Sequence, residues 1–258
     1  MCVLAFAWQA HPRWPLIVAG NRDELHARPA ASLARWHDRE GVIAGRDLES
    51  GGTWLGVSEA GRFAVVTNLR GFGLPRSGQI SRGALVTDML AGDGDAADPE
   101  TVPLDPYNPF NLIVADAAQA WFLTNRPEPS RTILAPGIYG LSNGRLDEPW
   151  PKTLRLKAAL LDWLMGSADA PERLLEALAE RDLPEAGART APPSDAPLEP
   201  AVSPVFILNP LYGTRCSTVA AIGADGRGRI IERRYGADGV ATGETALDFS
   251  WPSQRRGA

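Results

Sequence analysis

The chain has 258 residues, 44% of them hydrophobic and 22% charged, with a formal net charge of -5. Such a composition is that of an ordinary globular protein with ample core. It offers neither a basic stripe nor a run of positive charge, so nucleic acid and anionic membrane surfaces are not expected partners. Two cysteines, Cys2 and Cys216, are too few for a disulfide framework and fit a reducing compartment. The apolar start "MCVLAFAWQAHPRW" has neither the positive flank nor the cleavage pattern of a signal peptide, and no window reaches the roughly 18 apolar residues of a spanning helix. A cytoplasmic protein without stable membrane insertion is expected.

In chain order, residues 2–9 and 15–21 are β-rich runs separated by "AHPRW", which predicts a hairpin. A second hairpin is expected over 52–70, turning at Glu59-Ala60-Gly61. The segment 81–92, "SRGALVTDMLAG", reads as a helix with Ser81 as N-cap and a terminating glycine. Residues 91–109 are rich in Pro, Ala and acids and read as a surface loop. A third hairpin follows over 110–125, turning at 116–118. Next come a helix over 150–166, with Leu154, Ala158, Leu161 and Met165 as its expected buried stripe, and a shorter one over 170–182. Residues 183–204 read as a second surface loop, and 215–235 as a fourth hairpin turning at Ala224-Asp225-Gly226. Hairpins and helices without regular βαβ alternation point to an α+β layered protein, best read as one domain over 1–258.

The most unusual stretch is "VAGNRDELHARP", where Asn21-Arg22-Asp23-Glu24 directly follows a buried-looking strand. With the first bend near residues 11 and 12, antiparallel pairing sets residue i opposite about 23 minus i, so Cys2 meets the region of Asn21 to Asp23. Loss of Met1 gives Cys2 a free α-amine, whose reference pKa of about 7.7–8.0 suits a general base. A thiol with its own amine as base, an arginine to hold the thiolate and a carboxylate to orient the ammonium forms an activated nucleophile. The competing reading is a small buried cysteine beside a solvated strand end.

The initial "MC", "GNRDE" (20–24), "GGTWLG" (51–56), "TNLR" (67–70), "SRG" (81–83), "GLSNG" (140–144) and "PLYGTR" (210–215) resemble the NRDE family, also called the transport and Golgi organisation 2 family. The resemblance covers nearly the whole chain. It implies an N-terminal-nucleophile (Ntn) hydrolase-like fold, a four-layer αββα sandwich of two mainly antiparallel sheets. More distantly, the set is similar to choloylglycine hydrolase and penicillin V acylase. That resemblance makes Cys2 the nucleophile, with Arg22 and Asp23 tuning the thiolate and the amine. Asn68 then serves an oxyanion hole, where an amide donor stabilises developing charge, and Asn143 and Arg215 match the remaining polar positions. Asn21 and Glu24 belong to the family signature without an assigned role. Two functions are implied: amide or related acyl hydrolysis of a small amphipathic molecule, and binding or trafficking of haem, acyl-CoA or lipid in the same cleft. Neither requires a cofactor; haem is a candidate ligand.

Other motifs are weaker. "GLSNG" matches the Gly-x-Ser-x-Gly elbow around Ser142, but all three histidines precede it, whereas that mechanism needs one after it. His11, His26 and His37 show no metal-ligand spacing, although His11 or His26 could supply one axial haem ligand. Trp54 is a candidate pocket wall. The loop after Asn68 supplies Phe72 and Leu74 to cover an apolar ligand, and Arg70 and Arg76 to meet an acidic head group.

Overall fold

The computed structural model describes residues 2–183 and 203–252. Most of the predicted 183–204 loop therefore lies outside the described residues.

The four expected hairpins are present, as β1 (Cys2–Trp8) with β2 (Leu16–Leu25), β5 (Leu55–Ser58) with β6 (Arg62–Asn68), β7 (Phe110–Ala115) with β8 (Ala120–Thr124), and β11 (Tyr212–Ile222) with β12 (Arg227–Tyr235). Five further strands were not expected: β3 (Ala30–Arg35), β4 (Val42–Asp47), β9 (Ser130–Ile133), β10 (Gly137–Leu141) and β13 (Ala241–Ser250). They complete two antiparallel sheets, ordered β10-β1-β2-β11-β12-β13 and β3-β4-β5-β6-β7-β8-β9. Four of the five, β3, β9, β10 and β13, are the sheet edges. An edge strand buries little, so its sequence carries a faint hydrophobic period.

Between the sheets lies an apolar core that includes Leu4, Phe6, Leu16 and Val18 on one side and Phe63, Val65 and Ile113 on the other. The odd residues of β1 and β2, Val3, Ala5, Ala7, Ile17 and Ala19, face outward against helices. Both faces of β1 are thus covered, which is why "CVLAFAW" is apolar throughout rather than alternating. On the far side, α1 (Arg82–Ala91) covers the second sheet with Leu85, Val86 and Met89. The layers run helix, sheet, sheet, helix, the αββα sandwich.

Helix α1 starts where its sequence indicates, with the Ser81 hydroxyl accepting from the Gly83 amide and Gly92 closing it in the left-handed region at φ 72°. Gly52 packs backbone to backbone on Gly83; a β-carbon on Gly52 would stand 2.3 Å from the Gly83 carbonyl carbon. This contact ties "GGTW" to "SRG" and sets the position of Trp54.

Helix α2 (Pro151–Met165) rests on β1 and β10 through the opposite face from the one expected. Leu154, Ala158, Leu161 and Met165 are exposed, and Leu156, Leu160 and Leu164 are buried against the small residues of β1. Both stripes keep helical spacing, so the period could not choose between them. The predicted 170–182 helix is shorter, a 3-10 turn over Pro171–Arg173 leading into α3 (Leu174–Leu178). Among the described residues no helix is long and apolar enough to cross a membrane.

Candidate active site

The β1–β2 register pairs Cys2 with Arg22 and Val3 with Asn21, one residue from the expected pairing. The connection is centred on residue 12, with the Gln9 amide donating to Pro15 O at 2.7 Å and Trp14 to His11 O at 3.2 Å. A one-residue change of register decides which side chains share a face. Arg22 points into the space between the sheets, on the Cys2 side, while Asn21 points to the helix layer.

Asn21 is fully buried, and its amide nitrogen and oxygen are both engaged within the fold. Its Nδ2 donates to Leu178 O (2.8 Å) and Val205 O (2.9 Å), and its Oδ1 accepts from Ser217 Oγ (2.7 Å). Asp23, expected with Arg22 beside Cys2, acts on the Cys2 thiol through its charge and its backbone; its carboxylate also accepts from Thr214 Oγ1 at 2.6 Å and its carbonyl from Tyr212 Oη at 3.0 Å. Arg22 Nη2 donates to Asp47 Oδ2 at 2.8 Å, with Glu24 3.6 Å away. Asp47 also takes Arg28 Nε at 2.6 Å and the Ser50 amide at 3.0 Å. Burial alone would raise the Asp47 pKa, but the Arg28 hydrogen bond, the Ser50 amide and Arg22 hold it below the usual carboxylate value.

Cys2 is 9% exposed. Ser142 Oγ donates to its carbonyl at 2.7 Å, so the "GLSN" turn is anchored to the start of β1. Ser142 thereby has a structural use, and no helix follows it directly as a nucleophile elbow requires. The same turn locks onto "TNLR": Thr67 Oγ1 donates to Ser142 O (2.7 Å), Asn143 Nδ2 to Asn68 O (2.8 Å) and the Arg70 amide to Asn143 O (2.8 Å). Cys2, Arg22, Asn68 and Asn143 are thereby gathered from four distant segments. Burial pushes the Cys2 thiol pKa up, and Asp23 adds to the rise; Arg22 and a hydrogen bond from the Asp23 backbone oppose it.

Two cavities flank this centre. One, of about 210 Å³ between the sheets, is lined by Arg22, Trp54, Arg215, Cys216, Glu232 and Arg234 among others. Of these, Cys216, Glu232 and Arg234 escaped sequence reasoning, as did Asp47 on the same wall. The period of β12 could have found two of them: Ile230 lies in the inter-sheet core, so Glu232 and Arg234 point the same way. The second cavity, about 370 Å³, is largely apolar and includes Leu69, Arg70, Phe72, Asn143 and Trp150. Cys2 itself is not among the lining residues of either.

The four residues of the expected pocket loop lie in different surroundings. Arg70 and Phe72 line the second cavity, whereas Leu74 is 70% exposed and Arg76 is exposed, and neither lines these cavities, because the loop beyond Gly73 runs out over the surface. Arg215 lines the first cavity while its Nη1 donates to Leu25 O (2.7 Å) and Arg28 O (3.0 Å). His11 lies in the β1–β2 connection, at the opposite end of β1 from Cys2, where its Nδ1 accepts from the Arg13 amide. His26 has its Nε2 2.9 Å from Asn209 O. Neither histidine lines the two cavities. Among the described residues no cluster of three or more His, Cys, Asp or Glu side chains could hold a metal ion.

The αββα sandwich, with Cys2 opening a strand one place in from a sheet edge, has an Ntn-hydrolase-like fold. The fold is similar to that of a mutant conjugated bile acid hydrolase from Clostridium perfringens, with TM-score 0.54 at 8% identity over 96% of this chain and 92% of the other. It is also similar to a Caenorhabditis elegans ortholog of N-acylethanolamine-hydrolyzing acid amidase, with TM-score 0.51 at 14% identity over 84% and 92%. The model of the Transport and Golgi organisation 2 family matches residues 1–237, and the chain belongs to that family. Its relatives include the Transport and Golgi organization protein 2 homologs of Bos taurus, 33% identical over 96% of this chain and 99% of the relative, and of Homo sapiens, 33% identical over 90% and 92%.

Proposed function

We propose that the protein is an N-terminal-nucleophile amidohydrolase acting on an amide or related acyl bond of a small amphipathic molecule. The observation that carries this reading is the convergence on Cys2: Arg22 directly opposite, and the interlocked Ser142-Asn143 and Asn68 turns on the other side. After loss of Met1, the Cys2 α-amine takes the thiol proton and sulfur bonds to the acyl carbon. The oxyanion is held by the Asn68 and Asn143 amides, with Arg22 and Arg215 supplying positive charge and Asp23 orienting the ammonium. The C–N bond breaks as the ammonium returns its proton to the leaving amine. Water then cleaves the thioester, releasing the acid and restoring the thiol. The apolar cavity beside Asn143 suits the substrate's hydrocarbon part.

One observation favours a second reading, a carrier of haem, acyl-CoA or another amphipathic acid. Burial raises the Cys2 thiol pKa, and Arg22, the nearest guanidinium, is already engaged by Asp47. The two readings part in one experiment. Intact mass of the purified protein should show Met1 removed, and incubation with a panel of acyl amides and thioesters should add an acyl mass that is absent from Cys2→Ala. Retained Met1, or reversible binding without any adduct across the panel, would replace the hydrolase with the carrier.

A further inference from the structure

In the inter-sheet cavity the side chains follow the strand register. Arg22 of β2 pairs with Cys216 of β11, and Cys216 pairs with Arg234 of β12, so two guanidinium groups flank one thiol at a single level of the sheet. Each guanidinium carries a buried N–H without an acceptor, Nη1 of Arg22 and Nε of Arg234. Buried donors of this kind are exceptional in native folds and call for a partner. The two carboxylates on the cavity wall are already engaged, Asp47 by Arg22 and Arg28, Glu232 by the Leu33 amide at 2.8 Å. Arg46 is neutralised by Asp38, which it meets through both nitrogens at 2.7–2.8 Å. Among the described residues neither Arg215 nor Arg234 forms an ion pair. The cavity lining thus sets four arginines against two carboxylates, and two of its donors are in need of oxygen.

We propose that this cavity holds the acidic head group of the ligand, a carboxylate or a phosphate, between Arg22 and Arg234 over the Cys216 thiol. The proposal rests on the reading above only in taking the cleft as the ligand site, and it holds with or without turnover. A guanidinium fork matches either oxyanion bidentately, and a cavity of about 210 Å³ accepts a short acid or the end of a longer one. The apolar wall of Trp54 and Ala30 fits the carbon next to the head group.

Calorimetric titration with hexanoate, hexyl phosphate and hexanol tests this on the wild type, Cys2→Ala, Arg234→Gln and Arg233→Gln. At least one acid should bind wild type and Cys2→Ala alike, hexanol should not, and Arg234→Gln should weaken the acid roughly tenfold, the scale of one hydrogen bond to a charged group. Arg233→Gln, next in β12 but met by Glu244 at 2.8 Å and outside the cavity lining, should bind as wild type. The stronger of the two acids identifies the head group. Binding of neither acid, equal binding of hexanol, or undiminished binding by Arg234→Gln would overturn the proposal. If Arg234→Gln does not melt cooperatively, Arg234→Lys replaces it and should lose the fork and part of the affinity; unchanged affinity there counts equally against the proposal. An acyl adduct without acid binding removes this subsite alone, and acid binding without an adduct removes the hydrolase alone.

Discussion

Alternate residues of Asn21-Arg22-Asp23-Glu24 serve different layers, because a strand presents successive side chains to opposite faces. Arg22 belongs to the cleft and Asn21 to the scaffold, so their removal should have opposite signatures. Arg22→Ala takes away a cation that lowers the Cys2 pKa; the thiol then titrates still higher and iodoacetamide labelling of Cys2 at pH 7 slows, with a small change in stability. Asn21→Ala leaves the Leu178 and Val205 carbonyls without their donor. It should cost on the order of 2–4 kcal/mol in urea unfolding while the native protein labels at nearly the wild-type rate. Equal labelling in both variants would mean that Arg22 exerts no field at the sulfur. The signature thus divides between cleft and scaffold, with Arg22 in the one and Asn21 in the other, a division that the spacing could not reveal until the register was fixed.

Among the elements, the strongly periodic hairpins and α1 were legible because their turns and caps are local: Glu59-Ala60-Gly61, Asp225-Gly226, Ser81 and Gly92 each act on adjacent backbone. The α2 face and the edge strands were not, since tertiary packing alone selects between two equivalent leucine stripes. This choice has a measurable consequence. Leu160→Ala, at a fully buried position, should lose about 2–5 kcal/mol. Leu161→Ala, its neighbour at 45% exposure, should change stability by no more than about 0.5 kcal/mol. Chemical denaturation of the pair would expose an error in the helix orientation at once, because a wrong face reverses the order. The candidate site was legible to a similar degree. Cys2, Arg22, Asn68 and Asn143 sit in short motifs, whereas Asp47, Cys216, Glu232 and Arg234 enter through strand pairings between segments that look unrelated in sequence.

For the molecule as a whole, Glu232 couples the cavity to pH. Burial raises its pKa, and the Leu33 amide, Arg234, Cys216 and Arg22 oppose the rise without cancelling it. The protonated form is therefore favoured in the fold relative to the unfolded chain, where glutamate titrates near 4.3. Its contribution to stability is greatest below that value and declines as pH rises through the higher folded pKa. Glu232→Gln, which keeps an acceptor for Leu33, should abolish that decline and melt above wild type at neutral pH; melting curves of both proteins from pH 4 to 8 measure the difference. The strand order carries a consequence of another kind. The central position of β11 beside β2 joins residues up to 206 apart in the chain, as in the pairing of Ile222 with Leu16. Such closure is entropically expensive and slow relative to hairpin formation. During synthesis, the first hairpin must wait with one flank of β2 unpaired until β11 (Tyr212–Ile222) has emerged. The cleft between the sheets is then completed late, and any arrest before β11 leaves an open sheet edge exposed to aggregation.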